Sequence, residues 1–437
     1  MTNKFQRAID HLTKSTDSSV VLGALQAVED LFSAEWLSAN EGHRLQTLWF
    51  RRDSLSTSEL FSLGQAIVRL KKHNSTWLAS TANEIKKNIV TSHGLITEII
   101  TIGSLSAKGG KINPCPKSFP IYDYTVDFPS GYKYKVSLKN FDISVHEKAF
   151  KDRCETIRLT FKNYLKARNL SGTLQIFISE QELTKELTLR ICAFIAFQMN
   201  GYDNYSLNDL GVIINFQQIM FCDVSGLAKP SDTVMVFARQ HYNEQRNIES
   251  KIDTANKKML SDPIDKTSLK KLVIRIGETT DVSRVKAYLQ KIADNYEQCG
   301  FDICLLFQPI VASDPENQST GIVNTIHHIG KSFSPLSENL PEKLDNMGLI
   351  KMELGVGTMT FTKAPLVLMN GDTQENINLS GFYVYQRGDI YLKMKKDGNS
   401  YSSELPRFAP GIIAHAVYED IVISPVVYAE SEKLLIV

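Results

Sequence analysis

Residues 121–139 read IYDYTVDFPSGYKYKVSLK, and the reading of this stretch decides the fold. Polar and apolar residues alternate from Ile121 to Phe128, Pro129-Ser130-Gly131 supplies turn residues, and alternation resumes from Tyr132 to Lys139. A period of two on both sides of a turn predicts a β-hairpin. Strand residues two apart share a face. Lys133, Lys135, Ser137 and Lys139 therefore point one way, and Tyr132, Tyr134, Val136 and Leu138 the other, as in a sheet covered on one side. Folding about Ser130 sets Asp123 opposite roughly Ser137, with Lys139 as its diagonal neighbour within reach of a long side chain. An acid and a lysine thus meet on neighbouring strands.

Working outward, Ile89 to Leu105 has a helical apolar face, carries Glu98, and stops at Lys108-Gly109-Gly110-Lys111. After the hairpin come a polar and basic helix from about His146 to Arg168, a break at Leu170-Ser171-Gly172 and a buried strand from Thr173 to Ser179. The order is helix, strand, strand, helix, strand. Upstream, Val21, Leu25, Val28 and Leu31, then Leu60, Leu63, Ile67 and Leu70, recur at helical spacing, with a break expected over Ser54 to Ser58. Residues 180 to about 260 read mainly as helices around one apolar run, Gly211 to Val224, and 242–271 as an exposed helix and linker. A second α/β unit follows: strand Leu272–Ile276, helix Asp281–Cys299, strand Phe301–Pro309, and mostly β structure after Lys351. The fold class is α/β, mixed α+β, in three parts: a helical N-terminal region over 1–87, an α/β core with following helices over 88–262, and a strand-rich C-terminal α/β domain over 268–437.

The constellation of Glu98 on the helix, Asp123 on the first strand and Ser137-Leu138-Lys139 on the second resembles the PD-(D/E)XK nuclease superfamily, whose core is restriction-endonuclease-like. The resemblance covers about residues 88–180, with Tyr122 where the motif has Pro and Ser137 where it has its second acid. It implies a metal-dependent nuclease hydrolysing DNA or RNA phosphodiesters, with Mg²⁺ or Mn²⁺ held by Asp123 and Glu98. Lys139 would position the attacking water, and Ser137 would hold a metal-bound water. Asp127, Asp142 and Glu147 are spare carboxylates nearby. Without a second acid at the metal, the same core would be a catalytically degenerate module that binds nucleic acid or a protein. From spacing alone, Asp123 and Lys139 also read as a plain cross-strand ion pair.

Composition narrows the field. Lys+Arg total 49 and Asp+Glu 48, which argues against a protein that coats nucleic acid over its whole surface and leaves room for a local basic patch. Lys108, Lys111, Lys117, Lys133, Lys135 and Lys139 flank the candidate site, and the helix after it adds Lys148, Lys151, Arg153, Arg158, Lys162, Lys166 and Arg168. Such residues suit phosphate contacts, or form a solvated helix face. No apolar run spans a bilayer and no secretory h-region follows the N-terminus, so a cytoplasmic protein with no membrane partner is expected. Six scattered cysteines make no C-x-x-C pair and read as free thiols. The C-terminal domain is expected to select substrate or a protein partner. It is also where the site would lie if the chain were an enzyme of another class.

Overall fold

A computed structural model describes residues 7–330, apart from breaks of one to five residues and the longer gap 219–231, and beyond them strand segments lying between 350 and 427. The N-terminal region is helical: α1 (Asp10–Thr13), α2 (Ser18–Phe32), α3 (Ala34–Leu37), α4 (Arg44–Phe50), α5 (Ser54–Lys71), α6 (Ser75–Lys87) and α7 (Ser92–Gly103). Ser54 to Ser58 is not a break but the start of α5. Ser56, Thr57 and Ser58 are buried there, as is Glu59, so these side chains lie within the packing rather than in a loop.

β1 (Leu105–Ala107) leads to β2 (Lys111–Pro114), β3 (Tyr124–Asp127) and β4 (Lys133–Asn140), and then the chain leaves for a second sheet. That excursion comprises α8 (Val145–Arg168), β5 (Gly172–Ile178), α9 (Lys185–Phe197), β6 (Asn204–Leu207), β7 (Val212–Gln218) and β8 (Asp232–Arg239). The chain returns through α10 (Glu244–Ser261), β9 (Ser268–Arg275), α11 (Val282–Asp294), β10 (Ile303–Asp314) and β11 (Ser319–Gly330). Of the later strands, β12 (Ile350–Met352) pairs with β1, β13 (Leu366–Asn370) with β14 (Thr373–Glu375), and β15 (Phe382–Arg387) with β8.

Six strands form the first sheet, in the order β11-β10-β9-β4-β3-β2. β2, β3 and β4 are an antiparallel meander, β4 runs parallel to β9 and β9 to β10, and β11 closes the far side as an antiparallel hairpin. Two expectations are corrected here. The strand from Thr173 to Ser179 does not join the hairpin: β5 lies in the five-stranded sheet β15-β8-β5-β7-β6, and β9 takes the place beside β4. The division expected between 262 and 268 is crossed by the pairing of β4 with β9. Residues 180–260 are also richer in strand than expected. In β8, Thr233, Val234, Val236 and Phe237 are the β-branched and aromatic residues that favour a strand over a helix.

The first sheet is covered on both faces, not one. Tyr124, Val126, Tyr134, Val136, Leu138, Val273 and Leu305 pack beneath the N-terminal helices. Tyr122, Leu272, Ile274, Ile276 and Leu306 pack beneath α10 and α11, through Ile252, Met259, Val285 and Leu289. The polar face of β4 is thus the lining of a second layer. The five-stranded sheet has its own core with α8 and α9, and hydroxyls of Ser144 and Tyr383 donate to Glu244 where the chain passes between the two sheets. Among the described residues, no helix is long and apolar enough to cross a membrane.

Candidate functional site

β3 and β4 meet in the register their alternation requires. Tyr124 pairs with Val136 and Asp127 with Lys133. The ladder ends at Tyr124, and the Asp123 amide donates to the Val136 carbonyl at 2.8 Å, one residue out of that register, which keeps Asp123 beside β4. Lys139 Nζ lies 3.7 Å from Asp123 Oδ2, with the two side chains 32% and 31% exposed. The same Oδ2 accepts the Leu138 N–H, and Lys139 Nζ donates to the Leu138 carbonyl at 2.9 Å. Ser137 between them is 1% exposed. The pair is therefore partly accessible to solvent at the carboxyl end of β4, while the hydroxyl in the place of the second acid is sealed.

That end of the sheet is where ligands collect in α/β proteins, because parallel strands end there and their connections diverge. β9 ends beside β4, with Arg275 Nη1 donating to Asn140 Oδ1 at 3.1 Å and the Phe141 amide donating to the Arg275 carbonyl at 2.9 Å. Arg275 is buried.

Glu98 is half-buried on α7, a helix that packs through Ile96, Ile99 and Ile100 on the face opposite α10. It still influences the hairpin end. Burial first, then the charges of Asp123, Glu98 and Asp127, push the Cys115 thiol up to about 11. Among the described residues, however, no three His, Cys, Asp or Glu side chains converge so as to hold a metal ion. The spare carboxylates are occupied. Asp127 accepts from Asn113 at 2.7 Å and lies 3.7 Å from Lys133, and Glu147 pairs with Lys151 at 3.1 Å on α8. Asp142, Lys108 and Lys117 lie outside the described residues.

A hard divalent cation needs several oxygen ligands in near-octahedral geometry. Asp123 presents one carboxylate, already holding an amide and an ammonium on one oxygen, and Ser137 presents a buried hydroxyl. The residues as arranged do not fit an Mg²⁺ or Mn²⁺ centre, and no chemical step through one is derived.

A second charged group, unseen in the sequence, lies on the same face of β4. Lys135 Nζ is 2.9 Å from Asp262 Oδ2, the Tyr122 hydroxyl donates to that oxygen at 2.8 Å, and Lys270 Nζ is 3.5 Å away. Lys135 and Lys270 stand directly opposite each other in the β4–β9 register. Burial alone would raise the Asp262 carboxyl, but hydrogen bonds from Lys135 and Tyr122 and the charges of Lys135 and Lys270 outweigh it and hold the group below its usual range. Asp262, just before Pro263, is not a free linker residue but the centre of this network. Cys115, Cys154, Cys192, Cys299 and Cys304 are free thiols as expected, and Cys222 lies outside the described residues.

Comparison with protein-family models, curated proteins and solved structures returned no match.

Proposed function

We propose that this chain binds nucleic acid at the end of the six-stranded sheet marked by Asp123 and Lys139, on a nuclease-like core that lacks the paired carboxylates of a hydrolytic metal site. The observation that carries this reading is the partly exposed Asp123–Lys139 pair beside a sealed Ser137. Lys139 can exchange its carboxylate partner for a phosphate oxygen, a charge-assisted bond of the same kind. Asp123 then acts as a competitor that holds the ammonium in place when no phosphate is bound.

The second reading is metal-dependent hydrolysis of DNA or RNA phosphodiesters. One observation favours it. The order helix, strand, strand, helix, strand is realised in a single sheet as α7, β3, β4, α10 and β9, with β4 parallel to β9 and the excursion of 145–239 set between β4 and α10.

The two readings predict opposite behaviour for one variant. In fluorescence anisotropy with labelled duplex DNA, single-stranded DNA and RNA, binding persists in EDTA. Lys139→Ala weakens it roughly three- to tenfold, the loss of one phosphate contact. Asp123→Asn binds at least as tightly as wild type, because a negative charge beside the phosphate is removed. Oligonucleotide cleavage in Mg²⁺ or Mn²⁺ that vanishes in Asp123→Asn supports hydrolysis instead. Failure to bind any of the three polymers removes both readings.

A further inference from the structure

The fully exposed residues of α10 are Arg246, Asn247, Ser250, Lys251, Thr254, Lys257, Lys258, Leu260 and Ser261, which lie on one side of the helix. None is acidic, and the half-buried Asp253 is the one carboxylate within that arc. All three acids of the helix are half-buried and engaged. Glu244 accepts from the Ser144 and Tyr383 hydroxyls, Glu249 from Gln245 at 2.9 Å, and Asp253 from the Tyr288 hydroxyl at 2.7 Å. None of the four exposed cations Arg246, Lys251, Lys257 and Lys258 has a salt-bridge partner among the described residues. On α8 the first half is paired, Lys151 with Glu147, Arg158 with Glu155 and Lys148 4.0 Å from Asp152, while Lys162, Lys166 and Arg168 at its far end are exposed. What distinguishes α10 is its place beside the end of β4.

Lys251 Nζ lies 5.6 Å over the ring of Phe141, two residues beyond Lys139 at the end of β4. One cation of this face, Lys251, therefore lies by the chain just after Lys139, on a helix of 18 residues, about 27 Å long.

We infer that the outer face of α10 is a binding track for the phosphate backbone of a nucleic-acid duplex, an inference that rests on the nucleic-acid reading of the neighbouring site. Arg246, Lys251, Lys257 and Lys258 neutralise phosphates, and Asn247 and Ser250 donate hydrogen bonds to phosphate oxygens. A membrane surface fits less well, because Leu260 is the one large apolar side chain exposed on the helix, whereas interfacial helices insert an apolar face. A single strand also fits less well, because the exposed arc bears no aromatic ring on which bases could stack.

The test measures binding of a labelled duplex by the full-length chain in EDTA, over a series of salt concentrations. Each neutralised phosphate contributes about −0.9 to the slope of log K against log salt on duplex DNA. Lys257→Ala/Lys258→Ala is expected to flatten the slope by about two and to weaken binding roughly tenfold or more at low salt. Lys148→Ala/Lys162→Ala on α8, with the same change in net charge, leaves the slope in place. Circular dichroism and thermal unfolding verify that both variants fold. Equal losses in the two double variants, tighter binding of single strands than of duplex, or lysine-dependent binding to phosphatidylserine vesicles without duplex binding would each overturn the inference. A duplex interaction that depends on Lys257 and Lys258 but is indifferent to Lys139→Ala keeps the α10 track and removes the site proposed at the sheet end.

Discussion

Lys135 and Lys270 face each other across parallel strands, and like charges so placed repel unless an anion lies between them. Asp262 is that anion, and it also accepts from Tyr122. Removing it leaves two largely buried ammonium groups without their nearest counter-charge, so Asp262→Ala should cost about 2–4 kcal/mol in urea unfolding. The pH dependence has a definite sign. The carboxyl of Asp262 is held below its ordinary value in the folded chain, so its contribution is fully present above the unfolded value and is lost as pH falls through the folded one. The gap between wild type and Asp262→Ala should accordingly narrow below about pH 4, and a gap that widens there would contradict the network. The meeting of Asp123 and Lys139 was legible in the sequence because a hairpin is local and its alternation sets the register. Asp262 was not legible, since it reaches Lys135 from 127 residues away, and no periodicity reports a contact of that range.

At the scale of elements, the N-terminal helices are held close by glycine. A Cβ on Gly64 would stand 2.1 Å from the Ala24 carbonyl oxygen, and one on Gly103 would stand 2.5 Å from the Ala66 Cα. α2, α5 and α7 therefore cross with backbones nearly touching. Gly64→Ala should destabilise by about 1–3 kcal/mol or more, the usual range for overpacking. Gly23 is also helical, but nothing lies within 4 Å of its added Cβ, so Gly23→Ala should stabilise by about 0.5–1 kcal/mol. Thermal melts of the two variants should move in opposite directions, and parallel shifts would refute the crossing geometry. Helices such as α8 and strands such as β4 were readable because period and caps are local: Ser144 accepts from the Glu147 amide at the start of α8, and Asn169 takes a left-handed conformation at its end. Which strand lay beside β4 was not readable. β5 and β9 are both short apolar runs, and pairing between strands is decided by packing across the whole sheet.

Over the whole molecule, 145–239 is an excursion that leaves from the end of β4 and returns through α10 to β9, its neighbour in the first sheet. The returning helix carries the exposed cations Arg246, Lys251, Lys257 and Lys258, and its first turn shares Glu244 with Ser144 and Tyr383 at the passage between sheets. The sheet end with Asp123 and Lys139, the passage and the basic track thus occupy one region of a chain that is near neutral as a whole. Electrostatic attraction of a polyanion to such a region is steep in salt and needs no high net charge. The most direct test compares wild type, Asp123→Asn and Lys139→Ala on one labelled duplex, in EDTA and in Mg²⁺, following binding and product together. The account predicts intact duplex throughout, binding at least as tight in Asp123→Asn, and weaker binding in Lys139→Ala. Cleavage by the wild type that Asp123→Asn abolishes would contradict it.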